Sequence, residues 1–280
     1  MTLSTLILPL LLQVGPNPSG GAIPDVPDEL ANRPAREAPA AITANKSPWL
    51  IDCLEMLEED AARAHSQAQI RRTETAGTDR VLANHCLGLA ATRLGRWSEA
   101  QSAFTAARDE TPANEAAMRA RFGAMAGNAA LGGNDADSAL ALLAAARVDA
   151  VSGNARELLG LIALDRGRAL VQLDRMEDAT AELIAARDAR PDDAEIRLLL
   201  ATLLRRTGNL GPAQSEIEAA ATLAPGMAEV ALEAGVIAVL GGREAAARQS
   251  WQSAIDLAPG TETAATASSY IGQLDATPES

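Results

Sequence analysis

Residues 194–227 read AEIRLLLATLLRRTGNLGPAQSEIEAAATLAPGM, and residues 228–261 read AEVALEAGVIAVLGGREAAARQSWQSAIDLAPGT. Laid one beneath the other, Gly208, Ala213, Ala220 and Pro225 fall on Gly242, Ala247, Ala254 and Pro259, an interval of 34 residues each time. Further back, Pro191, Ala186 and Ala179 precede Pro225, Ala220 and Ala213 by the same interval, while Gly167 is followed by Ala201 and then Gly235. The same internal spacing recurs in Gly88, Gly95, Ala100, Ala107 and Pro112. A weaker copy, lacking the closing proline, carries Gly127, Asn134, Ala139 and Ala146. The register slips by five residues after the first copy and by six after the second, which predicts lengthened helices or loops at two junctions. Five copies result: 81–114, 120–153, 160–193, 194–227 and 228–261.

Each copy reads as a helical hairpin. From Ala194 to Thr207 the apolar residues Ile196, Leu200, Ala201, Leu203 and Leu204 recur at helical intervals, Gly208 and Asn209 break the run, and a second helix from Pro212 to Leu223 ends before Pro225. The residues repeated most strictly are tiny, because two helix axes approach only as closely as their contact side chains permit. Leu87, Phe104, Leu143, Leu183, Leu200, Ile217 and Trp251 then fill the space around them. A lone hairpin cannot bury its apolar face, so the copies must stack. Trp49 to about Arg71, with Leu50, Leu54, Leu57 and Ala61 on one stripe, reads as a divergent amino-terminal hairpin within 48–80. Thr263 to Leu274, with Ala264, Ala267, Tyr270 and Ile271, reads as a final amphipathic helix within 262–280 that caps the last open face.

Composition agrees. Of 280 residues, 48% are apolar but only 2% aromatic, and roughly a fifth are Ala, the best helix former. That favours an all-α fold with a core of small pieces. A formal charge of −13 disfavours a nucleic-acid partner. Cys53, Cys86, His65 and His85 lack the paired spacing of a zinc site, so no structural metal is expected. Nucleophile–base pairs, paired carboxylates and phosphate loops do not stand out, and Gly132-Gly133 and Gly241-Gly242 are turns without a following Lys-Ser/Thr. The expectation is a non-enzyme without cofactors. His65 is expected on a solvated helix face, and Trp97 and Trp251 are expected to pack rather than stack on a ligand. Cys53 and Cys86, 33 residues apart, occupy similar places on neighbouring first helices, so a disulfide is geometrically open; two reduced core cysteines are the alternative.

Near the start, Leu6 to Leu12 forms an apolar stretch too short to span a bilayer, followed by Ser19-Gly20-Gly21-Ala22. Residues 1–23 therefore read as a secretory signal peptide, although no Lys or Arg precedes the apolar run; a start without that role is the alternative. The location that follows is periplasmic or secreted, with cytoplasmic as the alternative, and no later segment is apolar enough to be an integral membrane span. Residues 24–47 are rich in proline and small polar residues and read as a flexible linker.

Leu94-Gly95-Arg96-Trp97-Ser98-Glu99-Ala100 with Phe104, Ala107 and Pro112, together with the two full copies quoted above, resembles the tetratricopeptide repeat over about residues 81–261. The sequence departs from that family where a large aromatic is usual near the start of each first helix: Asn84, Gly123, Ala163, Arg197 and Ala231 stand there, and Asp174 replaces a turn glycine. The resemblance implies a right-handed superhelical solenoid with a concave groove lined by the first helix of each repeat, used as a protein-binding scaffold. On that geometry the groove slots include His85, Leu89, Arg93, Arg121, Asn128, Leu164, Arg168, Gln172, Leu198, Thr202, Arg205 and Arg206. Arg93, Arg121, Arg168, Arg205 and Arg206 could capture an acidic or carboxyl-terminal segment, with Asn128 and Gln172 beside them; pairing with the chain's own Asp and Glu is the alternative. Ala124, not a basic residue, stands four before Asn128, so the family's specialised carboxylate clamp is absent. The partner is expected to be a protein or peptide, held by an envelope adaptor. A non-catalytic subunit of an envelope enzyme or assembly complex, or a self-associating structural protein, are the other readings.

Overall fold

The computed structural model describes residues 47–276. The signal peptide expected at 1–23, all but the last residue of the linker expected at 24–47, and residues 277–280 lie outside the described residues. As expected, the fold is all-α: every element among the described residues is a helix, and the described chain divides into two bodies, residues 47–224 and 225–276. The first body holds five hairpins: α1 (Pro48–Glu59) with α2 (Ala61–Glu74), α3 (Thr78–Arg93) with α4 (Trp97–Glu110), α5 (Ala116–Gly132) with α6 (Ala136–Ser152), α7 (Arg156–Gln172) with α8 (Met176–Ala189), and α9 (Ala194–Arg206) with α10 (Leu210–Leu223). The second body is the hairpin of α11 (Ala228–Leu240) and α12 (Glu244–Leu257), covered by α13 (Glu262–Ala276).

The register slips are absorbed inside helices. α5, α6 and α7 each run 17 residues, against 13 for α9 and 14 for α10. The turn between the two helices of a hairpin falls at one slot in every copy, where Gly95, Asn134, Asp174, Gly208 and Gly242 all have positive φ, from 58° to 80°. Asn and Asp are the side chains that tolerate this region best after glycine, which is why the Asp174 substitution preserves the turn. Asp60, Asp135 and Asp193 cap α2, α6 and α9 by accepting from the backbone N–H of Arg63, Ser138 and Ile196. The Asp135 carboxyl is held below its usual range by the Ser138 hydrogen bonds.

Within a hairpin, a large residue of the second helix enters a gap left by a tiny one 16 positions earlier. Phe104 faces Gly88, Leu143 faces Gly127, Leu183 faces Gly167 and Trp251 faces Gly235. A methyl placed on Gly167 would lie 2.9 Å from Leu183 Cδ2, and on Gly127 2.5 Å from Leu143 Cγ; on Gly88 or Gly235 it would fall into the facing aromatic ring. Ala201 and Ile217, both fully buried, hold the corresponding slots of the fourth copy. The periodic small residues are thus sockets rather than indifferent filler. In the second body Trp251 also donates from Nε1 to the Leu232 carbonyl at 3.1 Å and packs against Tyr270 of α13.

Between hairpins of the first body, charged trios recur. Two arginines, one from the second helix of a hairpin and one from the first helix of the next, converge on a carboxylate of that next hairpin's second helix. Arg108 and Arg119 meet Asp149 at 2.8 and 3.6 Å, Arg147 and Arg166 meet Glu182 at 3.4 and 2.8 Å, and Arg187 and Arg197 meet Glu216 at 2.6 and 2.8 Å. The three carboxylate side chains are only 11% to 15% exposed, so each needs its cations. At the amino-terminal end, a disulfide between Cys53 and Cys86, whose Cα atoms lie 6.5 Å apart, ties α1 to α3.

Candidate polypeptide-binding groove

The backbones of α1 and α3, and of α5 and α7, approach one another. Long side chains link neighbouring second helices, as in His65 to Glu99 and Arg147 to Glu182. In each hairpin of residues 47–224 the first helix buries more residues than the second, so the first helices are the inner ones and the second helices the outer ones. Several of the expected slots on the first helices are buried, and the chemistry there differs from a row of free cations.

His85 is 2% exposed and meets the Phe122 ring edge-on at 5.3 Å between centroids. Burial first, and then the positive charge of Arg121, push its pKa down to about 4, so the ring is neutral at physiological pH. Neither ring nitrogen, and neither polar atom of the Asn84 amide, has a hydrogen-bond partner among the described residues. Asn84 fills the slot where the repeat usually carries a large aromatic, so part of the local core is polar and unsatisfied, at a cost of roughly 1–3 kcal/mol per unpaired group. Burial likewise lowers the Arg121 guanidinium from its ordinary value.

Asn128 on α5 donates from Nδ2 to Asp165 Oδ1 on α7 at 3.5 Å, and Arg168 Nη1 donates to the same oxygen at 3.3 Å. Arg168 is 7% exposed, so this trio crosses two hairpins as a largely desolvated unit. Gln172, at the end of α7, keeps a buried Oε1 without a partner among the described residues. Arg93 sits half exposed and pairs with Glu58 of α1. Arg205 is buried, Arg206 is exposed, and these two and Arg121 each have an interaction of their own. Leu164 and Leu198 are buried, while Leu89 and Thr202 are half-buried. The structure thus gathers Asn128 and Arg168, but every arginine of the expected set is engaged within the chain.

Asp165 is the residue this side of the molecule turns on, and the composition argument passed over it. Its signal was available, three positions before Arg168 on the same helix. His65 is also placed differently from expectation: its side chain is 13% exposed, and Nε2 meets Glu99 Oε1 at 2.8 Å instead of standing in solvent. The two partners are 34 residues apart, one repeat. Trp251 packs, as expected. Among the described residues no group of three His, Cys, Asp or Glu side chains could hold a metal ion, and no helix is long and apolar enough to cross a membrane.

The family pattern for the tetratricopeptide repeat matches residues 164–213, from mid-α7 into α10. No curated protein matches the sequence. Among solved structures, a MamA double mutant superposes with a TM-score of 0.55 at 16% identity over 65% of this chain and 96% of its own. YrrB, described as a tetratricopeptide-repeat protein with an unusual peptide-binding site, gives 0.52 at 20% identity over 78% of this chain and 97% of its own. Another MamA structure gives 0.52 at 15% identity, covering 63% and 91%. These likenesses establish the fold, and with the matched pattern, the shared turn slot and the small-residue sockets they lead to one statement: the chain has the tetratricopeptide-repeat fold, and its residues 164–213 match that family's pattern.

Proposed function

We propose that the chain is a non-catalytic scaffold that holds a partner polypeptide against the inner layer formed by α3, α5, α7 and α9, and that it works in an oxidising compartment of the cell envelope. The observation that carries the proposal is that layer itself. Its first helices carry half-buried Leu89, Asn128 and Thr202 among residues that are otherwise mostly buried. The peptide-binding site described for YrrB supports the same use of the fold. Because Arg93 and Arg168 are already paired with Glu58 and Asp165, contact with the partner falls to apolar and amide groups more than to free charge. The Cys53–Cys86 bridge and the apolar run at Leu6–Leu12 support the compartment, since disulfides persist where thiol reductants are scarce.

The test is photo-crosslinking in intact cells. A photoreactive amino acid at Leu89 or Thr202 is expected to yield one discrete polypeptide adduct, and the same probe at exposed Ser152 or Ala181 of the outer helices none. Adducts from the outer positions only, or none from the inner ones, refute the scaffold assignment.

A further inference from the structure

On the outer helices, α2 and the start of α4 border a shallow, open cleft of about 560 Å³. Arg72 enters it from α2, and Arg96, Trp97, Ser98 and Glu99 line its other side. The charge pattern is unusual for this acidic chain. Among the described residues only three arginines, Arg63, Arg72 and Arg156, have no ion pair or other polar partner. Arg63 and Arg156 are exposed, whereas Arg72 is half-buried in the cleft. The cleft's own carboxylate does not neutralise it: Glu99 gives Oε1 to His65 at 2.8 Å and Oε2 to Arg96 at 3.7 Å. The remaining wall is rigid. The Trp97 ring rests on the α5 terminus, where a methyl on Gly132 would come within 2.6 Å of Trp97 Cε3.

We propose that this cleft is a second polypeptide site that takes an acidic side chain flanked by an apolar one. The carboxylate pairs with the Arg72 guanidinium, whose planar fork suits it, with Arg96 adding positive potential. The neighbouring apolar side chain lies on the fixed Trp97 indole, and the Ser98 hydroxyl serves the peptide backbone. Charge complementarity selects the occupant: two guanidiniums meet one carboxylate that is already doubly engaged, so the cleft retains a local positive excess in a protein of net charge −13. The site lies on second helices and does not depend on the inner-face assignment.

The experiment titrates the full chain with the capped peptide acetyl-Gly-Glu-Leu-Glu-Gly-amide, its Gln-for-Glu counterpart, and inorganic phosphate. Binding is followed by the indole N–H resonances in NMR spectra and by calorimetry. The Trp97 resonance is assigned by its loss in Trp97→Phe. The acidic peptide should shift Trp97 and leave Trp251 unmoved, and the Gln counterpart should bind about tenfold more weakly or worse. Arg72→Gln should weaken the acidic peptide by a similar factor at an unchanged melting temperature, since Arg72 holds nothing in the fold. The proposal is overturned if Trp97 does not respond, or if Arg72→Gln binds as the parent does. It is overturned equally if phosphate binds as tightly as the peptide, making this a free-anion site. Concentration-dependent self-association that Arg72→Gln abolishes would overturn it too, because a second copy would then be the occupant.

Discussion

Acidification should destabilise this protein through one buried ring, and the size of the effect follows from His85. In the unfolded chain the imidazole titrates near 6.5; in the fold, burial and Arg121 push it down to about 4. Between those values the unfolded chain takes up a proton that the folded chain refuses. The stabilisation is therefore complete above pH 6.5 and is lost as pH falls towards 4. Integrated to pH 5, the loss is about 2 kcal/mol, and by pH 4 and below it approaches about 3 kcal/mol. The ring is fully buried, so solvent screening does not discount the figure. The measurement is urea unfolding of the oxidised protein at pH 7.5 and 5.0, alongside His85→Leu, which keeps similar volume without a titrating group. Every other ionisable group is common to both proteins and cancels in the comparison. His85→Leu should lose about 2 kcal/mol less than the parent across that interval. At pH 7.5 it should be near neutral, because two buried nitrogens without partners are removed with the ring. Equal losses in the two proteins would show that water reaches His85 and that the dry, edge-on packing on Phe122 is wrong.

Gly167→Ala, driving a methyl to 2.9 Å from Leu183, should lower stability by about 1–2 kcal/mol in thermal melts, and Ala213→Leu by about 1–3 kcal/mol. Gly211→Ala, with open space around it in α10, should be neutral or stabilising by up to about 1 kcal/mol, and equal melting shifts for these variants would refute the socket register. Reducing the Cys53–Cys86 bridge, or replacing both cysteines by Ala, should lower unfolding free energy by about 3–4 kcal/mol in urea titrations, as closing a loop of 33 residues implies; an unchanged midpoint would mean the amino-terminal hairpins hold their places without it. Glu216→Gln, which leaves Arg187 and Arg197 facing a neutral amide, should cost about 1–3 kcal/mol, while Asp188→Asn at a 64% exposed position should cost under about 0.5 kcal/mol; the reverse order would show that the converging arginines do not hold neighbouring hairpins together.

The repeat, the helical hairpins and their boundaries to within a few residues were legible in residues 81–261, because backbone turns and helix crossings impose local demands. A slot that needs positive φ admits Gly, Asn or Asp, and a slot facing Phe104 or Trp251 at close range admits Gly, so both demands leave marks at a fixed spacing. The capping carboxylates Asp60, Asp135 and Asp193 are local in the same sense. What the inner face offers a partner was not legible. Most of the arginines are neutralised from another helix, by the carboxylate that stacking brings near: Glu58 for Arg93, and Glu216 for Arg187 and Arg197. The burial of His85 belongs to the same class, since the approach of Phe122 from the next hairpin helps turn a polar side chain into a core residue. Composition and spacing determine a chain of hairpins that must stack, because each leaves an apolar face uncovered. Tertiary packing alone decides which charges survive that stacking, because electrostatic pairing is set by distances between segments that lie far apart in sequence.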